Sequence, residues 1–183
     1  FLAAVALTIF FDNSPIFTGF FLVLSRIGAA IFLILQQIIL IDVAYNWNEN
    51  WVDRADEQDR LSFGSGSSWL HAIVGTCISF YVLSLAGIVV LYTHFDGCAS
   101  NVWVITLTLL GVIALTAVQL SRSEGSLLTS SILSLYAVYL AYSMVSKNPN
   151  GECNPQLGQD DSWGIAAGLF LTAVSLAWTG LSW

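Results

Sequence analysis

The stretch Ile16–Ala44, IFTGFFLVLSRIGAAIFLILQQIILIDVA, carries only two charges, Arg26 and Asp42, in 29 residues. As an α-helix it would be about 43 Å long at ~1.5 Å per residue, more than the ~30 Å of a bilayer's hydrocarbon. A membrane helix of that length must tilt or protrude. Working outward, Asp12-Asn13-Ser14-Pro15 before it reads as a turn with proline near a helix start, preceded by a partial apolar run, Phe1–Phe11. After it comes a polar connection, Tyr45–Ser68, and then four more apolar spans: Trp69–Tyr92, Val102–Leu120, Leu127–Val145 and Gly164–Trp183. None of these shows the strict alternation of barrel strands, and helices and closed barrels alone satisfy a backbone in hydrocarbon. The fold class is therefore all-α: a polytopic transmembrane helical bundle with one long tilted helix, forming a single helical region over 1–183.

Composition agrees. Of 183 residues, 56% are hydrophobic, with 12 acidic against 5 basic residues and a net charge of −7. Nucleic acid is excluded as a partner, because phosphate binding needs clustered Lys and Arg. Membrane lipids are the expected partners, with other membrane-protein subunits as a further possibility. The chain is expected to be the interior of a larger polytopic protein, because it opens without an initiator Met and stops while still apolar.

Basic residues in alternate connections orient the spans. Arg54, Arg60 and Arg122 fall on one side and Lys147 on the other, which places Tyr45–Ser68 and Ser121–Ser126 in the cytoplasm. Trp47 and Trp51, one helical turn apart where the long helix leaves the membrane, suit an interfacial aromatic belt.

No catalytic constellation stands out. His71 and His94 sit at opposite ends of one span, and no His or Cys pair has zinc-ligand spacing. The expectation is a protein that is not an enzyme and uses no cofactor. Cys98 and Cys153 fall in two connections on the non-cytoplasmic side, where they are either a disulfide stapling two loops or two free thiols. Cys77, in mid-span, reads as a small core residue.

Polar groups inside the long helix point most directly to function, since ionisable groups at membrane depth are costly. Arg26 and Gln37, eleven residues apart, return to nearly the same helix face; Gln36 flanks it and Ser25 lies close. This stripe either meets headgroups and water or bonds neighbouring helices. Asp42 points another way, near the cytoplasmic interface. Ser126, Ser130 and Ser134 repeat every four residues, making either a close-packing ridge or the polar lining of a lipid path. With Arg26, Gln36, Gln37 and Asp42 they complete the lipid-groove candidates. Gly164 and Gly168 form a small-residue packing motif.

Three ordered segments resemble the serine incorporator family. Leu35-Gln36-Gln37-Ile38-Ile39-Leu40-Ile41-Asp42-Val43-Ala44-Tyr45-Asn46-Trp47-Asn48-Glu49-Asn50-Trp51 is similar to its long helix ending in an acidic residue, Ala and a Trp-Asn-x-x-Trp element. Tyr92-Thr93-His94 with Cys98 resembles its Tyr-Thr-His…Cys loop. Ser126-Leu127-Leu128-Thr129-Ser130-Ser131, then Tyr136, Tyr139, Leu140 and Ser143, then Cys153-Asn154-Pro155, resembles a third block, although Gly125-Ser126 stands where that family usually has Ser-Gly. The resemblance implies a bundle built around a long diagonal helix, with lipid-binding grooves. It also implies a role in phospholipid scrambling, or in supplying serine for phosphatidylserine and sphingolipid synthesis. An accessory or structural subunit of a larger membrane complex is the competing expectation.

The topology predicts that Ser65→Cys and Asn150→Cys react with an impermeant thiol reagent from opposite sides of a sealed membrane. Labelling both from one side would reject it.

Overall fold

The computed structural model describes residue 19 and residues 21–121, 126–158 and 161–181. The expected partial span 1–11, the turn at 12–15, the first residues of the long helix and Arg122 lie outside the described residues. The chain forms two compact units, Phe1–Ile38 and Ile39–Trp183. Among the described residues there are five helices, each long and apolar enough to cross a membrane: α1 Leu22–Leu61, α2 Ser67–Phe95, α3 Ala99–Ser121, α4 Leu127–Val145 and α5 Ser162–Leu181. The chain is an integral multi-pass membrane protein.

The 40-residue α1 corrects one expectation. Tyr45–Ser68 is not a connection throughout, because the helix continues to Leu61. Polarity marks where a helix leaves hydrocarbon, not where it ends. Tyr45–Leu61 contains neither Gly nor Pro, and Asp56 and Arg60 stand four residues apart in the favourable acid-before-base order. The stop comes at Gly64, whose φ of 87° suits a residue without Cβ. There the Gly64 amide donates to Asp59 Oδ1 at 2.8 Å, and Ser65 Oγ donates to the Gln58 carbonyl at 2.9 Å. A side chain at Gly66 would collide with the Ala55 carbonyl, so α2 starts hard against the end of α1.

In the second unit α4 packs against α2 and α3. Their shared core is Ile88, Leu91 and Phe95 of α2, Ile105 and Val112 of α3, and Val138, Ala141 and Val145 of α4. The outward faces of α2 and α3 stay apolar and exposed, as at Val82, Leu85, Val89, Leu107, Leu110 and Ile113. That is the reverse of a water-soluble bundle and suits contact with acyl chains or neighbouring membrane helices.

Gly87 lets α2 and α4 approach, since a Cβ there would lie 2.7 Å from Val138 Cγ1. Valine is stiff at χ1 and cannot swing away cheaply. Gly87→Ala is therefore expected to destabilise the protein by about 1–3 kcal/mol, read as a lower Tm in detergent, and to cost less on a Val138→Ala background.

Candidate functional site

The first unit holds the polar stripe of α1. Arg26 is exposed and makes no hydrogen bond or ion pair among the described residues, in a run of exposed apolar side chains that includes Val23, Leu24, Ile27 and Ile31. Ser25 spends its hydroxyl on its own helix, donating to the Leu22 carbonyl at 3.0 Å. Gln37 is half-buried, whereas Gln36 is only 5% exposed. Ten residues at 100° each turn Gln36 about 80° away from Arg26 on the helix.

In the second unit the outer half of α1 presents Val43, Trp47, Asn50, Trp51 and Arg54 at i, i+4, i+7, i+8 and i+11, all on one face. With Trp69 of α2 and Trp178 of α5 they line a groove of about 500 Å³. Trp47 and Trp51 meet edge to face with centroids 5.3 Å apart, and Trp51 meets Trp69 at 5.9 Å. The Arg54 guanidinium lies 5.4 Å from the centre of the Trp69 ring, within cation–π range. Trp47 and Trp51, expected only as interface anchors, are half-buried walls of this groove. Asp42, expected simply to reach water, accepts a 2.9 Å hydrogen bond from Trp178 Nε1 and so ties α1 to α5. The spacing of Val43, Trp47, Asn50, Trp51 and Arg54 was visible in the sequence; Trp69 and Trp178 carried no signal, because only packing brings them there.

The three serines at the start of α4 are buried. Ser126 is the N-cap of α4, accepting from the Thr129 amide at 3.2 Å, and Ser130 and Ser134 are fully buried. Ser130 Oγ donates to the Leu127 carbonyl, and Ser134 Oγ donates to the Ser130 carbonyl at 2.7 Å. Such local bonds leave a small, satisfied surface against which another helix can close. Of the two readings of the ridge, this burial is what close packing gives. Tyr81 of α2 donates to Ser130 Oγ at 2.7 Å and accepts from Thr116 Oγ1 of α3 at 3.2 Å, which joins three helices through hydroxyls that sequence reasoning missed.

At the far end of α2, Cys98 and Cys153 are joined in a disulfide with Cα atoms 5.1 Å apart. Asparagines finish this cap. Asn101 Nδ2 donates to the Cys153 carbonyl at 2.8 Å, Asn148 Nδ2 to Asn101 Oδ1 at 3.1 Å, and Asn154 Nδ2 to the Ser146 carbonyl at 2.7 Å. A side chain at Gly97 would collide with the Glu152 carbonyl, so the two loops touch. Asp161 then caps α5 through the Gly164 amide at 2.9 Å and accepts from the Tyr142 hydroxyl at 2.8 Å. Tyr139 donates to the Gly164 carbonyl at 3.1 Å and leaves no room for a Cβ on Gly168, so the Gly164/Gly168 pair is filled by a tyrosine of α4. Among the described residues, no group of three or more His, Cys, Asp or Glu side chains could hold a metal ion.

The family model described as Serine incorporator (Serinc) matches residues 1–182. The chain belongs to the serine incorporator family. It is 33% identical over 144 residues to Serine incorporator 3 of Bos taurus, covering 74% of this chain and 29% of that protein. To Serine incorporator 3 of Mus musculus it is 36% identical over 150 residues, covering 77% and 30%. To Serine incorporator 2 of Homo sapiens it is 29% identical over 168 residues, covering 86% and 36%. The chain thus spans 29 to 36% of the length of these relatives.

In this serine incorporator the disulfide closes a loop with a sequence separation of 55 residues, long enough to remove substantial entropy from the unfolded chain. Cys98→Ser is expected to lower stability by about 2–4 kcal/mol. The measurement is thermal unfolding with and without reductant. The parent protein should lose Tm when reduced, the variant should not, and Cys77→Ala should behave as the parent.

Proposed function

We propose that this protein handles phospholipids without an energy source, binding them and easing headgroups across the bilayer along the polar face of α1. The observation that carries the reading is Arg26, an exposed guanidinium without a partner among the described residues, set among exposed apolar side chains on a membrane-spanning helix. An arginine in mid-span costs roughly 2.5 to 3.5 kcal/mol on insertion scales and persists where water or an anion meets it. A headgroup phosphate is such an anion, and a guanidinium binds it in two-pronged fashion. Gln37, half-buried on nearly the same face, adds an amide that can donate or accept. The relatives are named serine incorporators, and the family resemblance extends our reading to serine-derived lipids, phosphatidylserine and sphingolipid, as the class whose supply this activity serves.

Arg26→Leu with Gln37→Leu in the full-length protein removes costly polar groups and is expected to leave folding intact. Scrambling of labelled lipid in reconstituted vesicles should slow about tenfold, the factor that ~1.4 kcal/mol of lost headgroup stabilisation produces. Unchanged scrambling in a well-folded double variant would assign the stripe to helix packing and favour the accessory-subunit reading.

A further inference from the structure

The turn that joins α1 to α2 reads Asp59-Arg60-Leu61-Ser62-Phe63-Gly64-Ser65-Gly66-Ser67-Ser68. Ser62, Ser65 and Ser68 stand three residues apart, and Asp59 stands three residues before the first of them. All three serines are exposed, as are Leu61 and Phe63 on either side of Ser62. The hydroxyls of Ser62 and Ser68 make no hydrogen bond among the described residues, whereas Ser65 Oγ donates to the Gln58 carbonyl at 2.9 Å. Since α2 runs 29 residues, about 43 Å, its first turn can stand clear of ~30 Å of hydrocarbon.

We propose that this turn is a phosphorylation site for an acid-directed serine kinase, one that reads a negative charge three residues before its target. Asp59 supplies that charge for Ser62. A phosphate on Ser62 supplies it for Ser65, and a phosphate on Ser65 supplies it for Ser68. In each step the serine Oγ attacks the γ-phosphorus of ATP: an Oγ–P bond forms, the bond from that phosphorus to the bridging oxygen breaks, the hydroxyl proton passes to the kinase's base, and ADP leaves. Ser67 is exposed in the same turn but falls out of register, because Gly64 stands three residues before it. The site lies on the side that Arg54 and Arg60 assign to the cytoplasm, where ATP is, and it uses no residue of the Arg26 stripe.

A kinase takes its target as extended chain, so the turn must open. Its bonds are exposed ones, from the Gly64 amide to Asp59 Oδ1 at 2.8 Å and from Ser65 Oγ to the Gln58 carbonyl, and segments held in that way open at low cost. Phosphate then changes what the turn can do. On Ser65 it removes the proton that bonds the Gln58 carbonyl and adds about two negative charges next to the Gly64–Asp59 bond. Both effects loosen the last turn of α1, whose free carbonyls already carry partial negative charge. On Ser68 the phosphate falls in the first turn of α2, where free N–H groups favour it. Phosphorylation thus opens the end of α1 and firms the start of α2.

The test incubates purified full-length protein in detergent micelles, where both membrane faces are accessible, with ATP and casein kinase I, and locates phosphate by mass spectrometry over time. Ser62 should be modified first and Ser65 and Ser68 after it, with Ser67 about tenfold slower than Ser68, the factor that one lost charge-assisted contact produces. Asp59→Asn keeps the oxygen that accepts from the Gly64 amide and removes only the charge; it should slow Ser62 about tenfold. Ser62→Ala should slow Ser65 and Ser68 by the same factor, and Ser62→Glu should restore them. Hydrogen exchange over residues 58–66 should be about fivefold faster once Ser65 carries phosphate, the scale of one lost hydrogen bond. A parent that takes up no phosphate, phosphate on Ser67 as fast as on Ser68, or a Ser65 rate that Ser62→Ala leaves unchanged would overturn the proposal. Unchanged exchange in the phosphorylated protein would overturn the opening of α1.

Discussion

Hydroxyls on α4 that are satisfied before the helices meet are what the packed unit depends on. In hydrocarbon there is no hydrophobic gain from bringing two helices together, so close approach and paired polar groups must supply the attraction. Ser131 donates to the Leu128 carbonyl at 2.8 Å, and Ser130 and Ser134 bond within the helix in the same way. The faces they form are small, and α2 and α3 close against them. A lone pair left free on Ser130 then takes Tyr81, and Tyr81 takes Thr116, so the three helices are registered by one chain of hydroxyls. A second tie of the same kind joins α2 to α3 near their far ends, where the Tyr92 hydroxyl lies 2.7 Å from the Oγ1 of Thr106, ten residues before Thr116 on α3.

The same physics runs differently at the two ends. On the side of the disulfide, loops must turn while their backbone groups stay bonded, and asparagine amides do this because each can donate and accept at once. Asn154 shows the economy: its amide nitrogen reaches the Ser146 and Asn148 carbonyls while its oxygen accepts from the Gln156 amide at 3.0 Å. On the opposite side α1 leaves the apolar zone as an intact helix, and aromatic rings rather than amides make the contacts. Tryptophan suits that position because it buries a large apolar face and keeps one N–H for a partner, as Trp178 does with Asp42.

The two polar features of α1 differ in what surrounds them. Arg26 stands in an apolar run, where its charge has no protein answer among the described residues, and that isolation is the basis for assigning it to lipid. Arg54 instead lies 5.4 Å from the centre of the Trp69 ring, with carboxylates before and after it in the chain.

The sequence by itself determined the number and kind of complete helices, because a run of about twenty apolar residues has no other stable form in a bilayer. It also carried the family, through motifs that sit on the long helix, the Cys98 loop and α4. It left the ends of the elements open: polar residues from Tyr45 onward are compatible with both a loop and a helix in water, and the difference lay in the absence of Gly and Pro before Gly64. What only the tertiary structure decided is which face of each helix is used. The Ser126, Ser130 and Ser134 repeat looks the same in the sequence whether it lines a path or packs, and only the packed helices show that all three serines are buried. Gln36 and Gln37 are neighbours in the chain, yet one is buried and the other half-buried, because a 100° step separates their directions. The groove needed still more, since Trp69 and Trp178 join Trp47 and Trp51 only when three helices are in place, and no local pattern encodes a meeting of residues so far apart in the chain.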